Sequence, residues 1–247
     1  MKKCLIINCE AGLPHRKDVV NCMNVLPLAF IKYNFEVKII TYADIEFFKT
    51  GLQGYDVIFL ITHGKVFNKK SWILTNEVLF CHNKNKIDKE CIDDFISPDY
   101  GTKENKPKFL AISHKFFEKY YPENSLQNSL IYFVPCCGLK HKSHFAKTFI
   151  NKGAKVVIGW DEIHSIGIDA GVELIRNLLY RKNCTLQKAI NGMKNAPARI
   201  YGCKRNDLTI DILEEPIYKG NTYVTTNEKI RAKLIFYPYK SRNYKIW

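Results

Sequence analysis

The reading turns on residues 130–138, Leu130-Ile131-Tyr132-Phe133-Val134-Pro135-Cys136-Cys137-Gly138. A short, bulky apolar run stops at two cysteines and a glycine. Such a run, bounded by turn residues, reads as a strand buried on both faces of a sheet. The cysteines then sit where a central strand leaves the sheet. In open α/β sheets that carboxyl edge is where ligands and reactive groups gather. Upstream, Asp56-Val57-Ile58-Phe59-Leu60-Ile61-Thr62 is a second strand of the same kind, and it stops at His63-Gly64. If the two strands are neighbours, a thiol and an imidazole share one edge, the pairing that a cysteine-dependent hydrolase needs.

Toward the N-terminus the pattern continues. Residues 3–8 read as a first strand, followed by the turn 10–15. Asp18 is placed to cap a helix running to about Tyr33, which Pro27 should kink or interrupt. Residues 36–42 read as a strand and 43–50 as a short helix leading into the His63 strand. Strand and helix in alternation predict a parallel sheet with helices on its faces. After Gly64 the pattern changes. Trp72-Ile73-Leu74 and Val78-Leu79-Phe80, separated by Thr75-Asn76-Glu77, read as a small hairpin. A short helix is expected near 89–95 and a loop over 97–107. A strand over 109–112 and a helix over 113–121 lead to the Cys136 strand.

Beyond the cysteines, 143–151 reads as a helix ended by Gly153, and 154–160 as another buried strand with Asp161 and Glu162 at its C-terminal end. Helices are expected over 168–181 and 185–194, the second capped by Thr185. Weak alternation over 207–213, 221–226 and 231–237 suggests terminal β structure.

Composition bounds the possibilities. At 247 residues, with 46% hydrophobic and 25% charged residues, the chain can bury a full core. No apolar run approaches the roughly 18 residues of a membrane span, and the apolar stretch after Met1-Lys2-Lys3 is too short for a signal peptide. A cytoplasmic protein without a membrane partner is expected. Nine scattered cysteines fit reduced thiols better than a disulfide framework. The formal charge of +14 comes mainly from lysine. Solvated lysines explain it more simply than a nucleic-acid surface.

Amide hydrolysis by a thiol needs a thiolate, a proton-transfer partner, N–H donors for the oxyanion and a selecting pocket. Cys136 and His63 can supply the first two. The N–H groups of Gly64 and Cys136 can supply the third. Glycine lacks Cβ, so a substrate backbone can come close beside His63.

These residues resemble the marks of the caspase-type cysteine peptidases, which span caspases, metacaspases, clostripain, gingipains, separase and the CHAT-domain proteins. Phe59-Leu60-Ile61-Thr62-His63-Gly64 is similar to their strand ending in His-Gly. Phe133-Val134-Pro135-Cys136-Cys137-Gly138 is similar to their strand ending in the nucleophile. The two residues stand 73 positions apart (136 − 63), against about 50 in caspases, and the 97–107 loop accounts for the excess. Residues 145–160 and 186–190 resemble segments that follow the CHAT-domain cysteine. The resemblance implies a caspase-like three-layer α-β-α sandwich with a mostly parallel central sheet over residues 1–196. A β-rich extension over 197–247 is expected to pack on the same domain. It also implies a cysteine endopeptidase acting on protein or peptide substrates without a cofactor. An activating partner protein is left open.

Several assignments stay open in the sequence. Gly138 two positions later favours Cys136 as the nucleophile, whereas metacaspase-like motifs with paired cysteines favour Cys137. Asp161 and Glu162 resemble acids that line a pocket for basic residues, and Trp160-Asp161 is similar to a Trp-Asp pair of separases. Equally, they could cap the following helix. Pro135 and Leu139 depart from the family pattern, so an inactive caspase-like interaction module is one alternative. A basic nucleic-acid-binding protein is another, suggested by the mixed aromatic and basic tail 237–247. Cys136, Cys137, His141 and His144 lack zinc-ligand spacing, so no metal is expected.

Overall fold

A computed structural model describes residues 1–9, 17–67, 70–78, 96–97, 109–135, 138–139, 144–161, 167–193, 209–212, 217–219, 222–224 and 230–246. The expected helix over 89–95, all of the expected loop over 97–107 except Ser97 (which is in a strand), Cys136, Cys137 and Glu162 lie outside the described residues.

The apolar runs become the strands of one sheet. In chain order the N-terminal elements are β1 (Lys2–Asn8), α1 (Lys17–Lys32), β2 (Phe35–Ile40), α2 (Ile45–Thr50) and β3 (Val57–Ile61). A small-sheet segment follows: β4 (Gly64–Phe67), β5 (Lys70–Val78), β6 (Ile96–Ser97) and β7 (Phe109–Ser113). Then come α3 (His114–Tyr120), β8 (Leu130–Phe133), α4 (His144–Asn151), β9 (Val156–Trp160), α5 (Gly167–Tyr180) and α6 (Leu186–Asn191). The remaining strands are β10 (Thr209–Ile212), β11 (Ile217–Lys219), β12 (Thr222–Val224) and β13 (Ile230–Tyr237), with a final 3₁₀ turn at Tyr239–Asn243.

The main sheet has the order β10-β13-β9-β8-β3-β1-β2. Strands β2, β1, β3, β8 and β9 are parallel, and β13 joins β9 antiparallel. Alternation along the strands divides the core. Cys4, Phe59, Tyr132 and Ile158 face α1, α5 and α6 on one side. Leu5, Ile58, Phe133 and Val157 face α2, α3 and α4 on the other. Helices thus cover both faces, and β3, β8 and β9 are buried throughout, as a parallel sheet requires.

Three local expectations need correction. Pro27 does not interrupt α1, which runs to Lys32. Leu26, Ala29 and Phe30 continue the buried stripe of Val19 and Cys22, so packing holds the last turn in place despite the missing N–H. The helix also begins at Lys17, which leaves Asp18 inside its first turn rather than at its cap. Thr75-Asn76-Glu77 makes no turn, because 70–78 is a single strand. Its polar side chains serve neighbouring backbone instead. Thr75 Oγ1 donates to the Leu110 carbonyl at 3.0 Å, Asn76 Oδ1 accepts from Ala43 N at 2.9 Å, and Glu77 accepts from Ile45 N at 3.2 Å. A register shift between Leu74 and Val78 absorbs the irregularity. The hairpin forms one step earlier, between β4 and β5.

The C-terminal segment is woven in. Leu186 N donates to the Tyr244 carbonyl at 2.8 Å. Ser241 Oγ donates to the Lys155 carbonyl at 3.1 Å, and Lys2 Nζ bonds the Ile246 carbonyl. Burial, with Asp56 adding to it, pushes the Tyr244 hydroxyl up to about 12.

Candidate active site

β1 lies between β2 and β3, with α1 on one face and α2 on the other. The chain therefore reverses its winding between β1 and β3. Ligands of open α/β sheets bind at such a switch point, beyond the carboxyl ends of the strands. His63 follows β3 at that edge.

β3 and β8 are adjacent and parallel, with Leu60 paired to Phe133 and Phe133 in turn to Gly159 of β9. His63 stands three positions beyond Leu60, Cys136 three beyond Phe133, and Glu162 three beyond Gly159. Three neighbouring strands thus lead to the three residue types singled out in the sequence. Asp161 follows Trp160 directly and is half-buried.

The backbone at His63 is firmly placed. Thr62, itself buried, donates through Oγ1 to the Leu74 carbonyl at 2.7 Å. Leu74 N donates to the His63 carbonyl at 3.0 Å. His63 and Leu74 therefore form a hydrogen-bonded antiparallel pair. The next pair, Gly64 with Ile73, must be the alternate kind, whose N–H groups point away from the partner strand. Because β4 is an edge of the small sheet, the Gly64 N–H is left outside that ladder and directed away from β5.

The other side of the edge is equally constrained. Val134 N donates to the Leu60 carbonyl at 3.0 Å, Gly138 N to the Pro135 carbonyl at 3.0 Å, and Leu139 N to the Trp160 carbonyl at 2.9 Å. The segments on both sides of Cys136 and Cys137 are thereby tied to β3 and β9. A Cβ on Gly159 would lie 2.6 Å from the Phe133 carbonyl and 3.0 Å from Leu139 Cδ1, so glycine permits this close approach.

Two imidazoles lie at the starts of the helices that flank this region. His114 opens α3 and His144 opens α4, and their rings stack with centroids 4.7 Å apart and planes 20° apart. Among the described residues buried His114 Nδ1 has no hydrogen-bond partner. Burial lowers the His114 pKa; Glu118 opposes the shift, while His144, Lys115 and Lys70 add to it.

Other thiols serve packing. Cys4, Cys9, Cys22 and Cys184 are buried thiols outside any disulfide, and burial raises the pKa of Cys4 and Cys184. Among the described residues no three metal-ligating side chains gather in one place. No helix among them is long and apolar enough to cross a membrane.

The sequence reading missed Thr62 and His114. Thr62 had one available signal, a polar residue at the end of an otherwise apolar strand. His114 had none, because its significance depends on α3 and α4 meeting. No family model matches the chain, and no curated protein matches it.

Proposed function

We propose that the chain is a caspase-type cysteine endopeptidase with His63 and Cys136 as its dyad. The observation that carries this reading is the parallel pairing of β3 with β8, strands that His63 and Cys136 follow in sequence by the same number of residues. The Gly64 N–H, directed away from β5, supports it, since an oxyanion needs donors that face it.

In this mechanism the Cys136 thiolate attacks the scissile carbonyl, and the carbonyl electrons move onto oxygen. The N–H groups of Gly64 and Cys136 hold that oxyanion. The intermediate collapses as His63 protonates the departing amine, leaving a thioester. Water, losing its proton to His63, attacks the thioester and releases the acid and the thiol. Asp161 and Glu162 select a basic residue before the cut through a charge-assisted hydrogen bond.

The test is a proteome-wide map of new N-termini made by the purified protein beside its Cys136→Ala and Cys137→Ala forms. Cuts that vanish only with Cys136→Ala support the assignment, and loss only with Cys137→Ala moves the nucleophile by one position. Asp161→Ala should abolish preference for Arg and Lys while leaving thiol alkylation intact. An unmodified proteome in every arm, calcium and cell extract included, rejects the peptidase.

A further inference from the structure

β2 ends the main sheet, with no strand beyond it among the described residues. Natural sheets blunt such edges with charged side chains, lysine above all, with proline or with bulges. The β2 sequence, Phe35-Glu36-Val37-Lys38-Ile39-Ile40, has neither proline nor bulge, and its charges are of both signs. It carries one charge of each sign, two positions apart, so both lie on the same face of the strand. Glu36 and Lys38 are exposed, and Ile39 is 43% exposed. Within the chain Glu36 has a distant partner, Lys3 at 4.0 Å, in a half-exposed pair of little energetic value.

We propose that β2 pairs antiparallel with β2 of a second copy of this chain, about a two-fold axis through Val37. Three neighbouring registers keep the faces of the two sheets continuous. One sets Glu36 opposite Glu36 of the other copy, and another sets Lys38 opposite Lys38. Only the register centred on Val37 sets Glu36 opposite Lys38, and it does so twice. Like charges directly opposite destabilise a pair and unlike charges stabilise it, so charge selects this register. The same register brings exposed Ile39 beside Phe35 of the other copy.

The helical layer on that face is ready for the same contact. Lys32 at the end of α1 and Tyr33 just beyond it meet Tyr180 of α5, which fixes the flank of α1 that faces inward along the sheet. Val20 and Ile31, 47% and 57% exposed, lie about 120° and 100° around the helix from Lys32, on its solvent flank. They are 11 positions apart, or about 20° on a helix with about 3.6 residues per turn. The two-fold axis brings this flank of α1 toward its counterpart. The dimer joins the main sheets of both copies into one and leaves the His63 edge untouched, so it stands independently of the peptidase reading.

Sedimentation velocity across micromolar concentrations tests it. The wild type should dimerise. Lys38→Glu and Glu36→Lys should each weaken self-association by at least about tenfold, since each replaces two attractive pairs with repulsive ones. Mixing the two variants should restore a dimer, because all four charges are then complementary. The Glu36→Lys/Lys38→Glu double variant should dimerise alone as the wild type does. Circular dichroism checks that each variant is folded. A wild type that stays monomeric, single variants that associate normally, or a double variant that fails to recover would each overturn the proposal.

Discussion

Alanine at position 138 would place a methyl carbon 2.5 Å from Phe133 Cε1, 2.8 Å from Cδ1 and 2.9 Å from the Pro135 carbonyl oxygen. The Gly138 backbone is outside the left-handed region, so the constraint is one of space. Phe133 has little room to yield. It is fully buried, with ring centroids of Phe145 and Phe149 at 5.1 and 5.7 Å. Overpacking of this kind costs about 1–3 kcal/mol, which in a chain of this size lowers Tm by about 2–12 °C. The alternative relief is to open the turn between Pro135 and Gly138, which displaces Cys136. Gly138→Ala should therefore reduce cleavage by more than its loss of stability explains. The diagnostic is a double-mutant cycle with Phe133→Leu, read from urea midpoints at constant m-value. Removing the ring creates a cavity but also clears the clash, so the two costs should couple favourably by about 0.5–3 kcal/mol. Additive costs, or a Gly138→Ala protein as stable as the wild type, would refute the reasoning.

The stacked imidazoles predict a pH dependence. An unfolded chain protonates His114 near about pH 6.5, whereas the folded protein does so only at lower pH. Between these values the unfolded state binds more protons, so stability falls as pH drops through the folded pKa. His114→Phe should flatten that fall in thermal melts; parallel slopes in the two proteins would assign the acid sensitivity elsewhere. In the tail, Ile246 is 3% exposed, and Ile246→Ala should cost about 2–4 kcal/mol in chemical denaturation. Exposed Lys245 should tolerate alanine within about 0.5 kcal/mol. Equal effects at the two positions would argue against the tail packing described above.

Strands β3, β8 and β9 were legible as continuous apolar runs stopped by polar or turn residues, as in 57–61 and 156–160, whereas β2 was legible from its alternation of apolar and charged residues. Thr185 was legible as a cap because its chemistry is local: its hydroxyl accepts from Lys188 N. The signals that misled were also local ones. Thr75-Asn76-Glu77 carries turn chemistry, but its partners lie on β7 and at or just before the start of α2, more than 30 positions away. Pro27 carries helix-breaking chemistry, but the sheet beneath it decides. At the candidate site, His63 and Gly64 were visible as a strand end. That their strand adjoins the Cys136 strand depends on register, and the outward Gly64 N–H depends on a hydrogen bond from Leu74. Neither is encoded within a short window.

The antiparallel strand β13 has a consequence for biosynthesis. β9 is complete at Trp160, yet the strand that pairs with its outer side begins at Ile230. Translation of the intervening 69 residues (229 − 160) takes about 3–14 s at about 5–20 residues per second. Throughout that interval a fully apolar strand, Val156-Val157-Ile158-Gly159-Trp160, has one open hydrogen-bonding side. A nascent chain in that state is a substrate for strand-binding chaperones, and slowing of the ribosome between codons 160 and 230 should increase aggregation more than the same delay placed earlier.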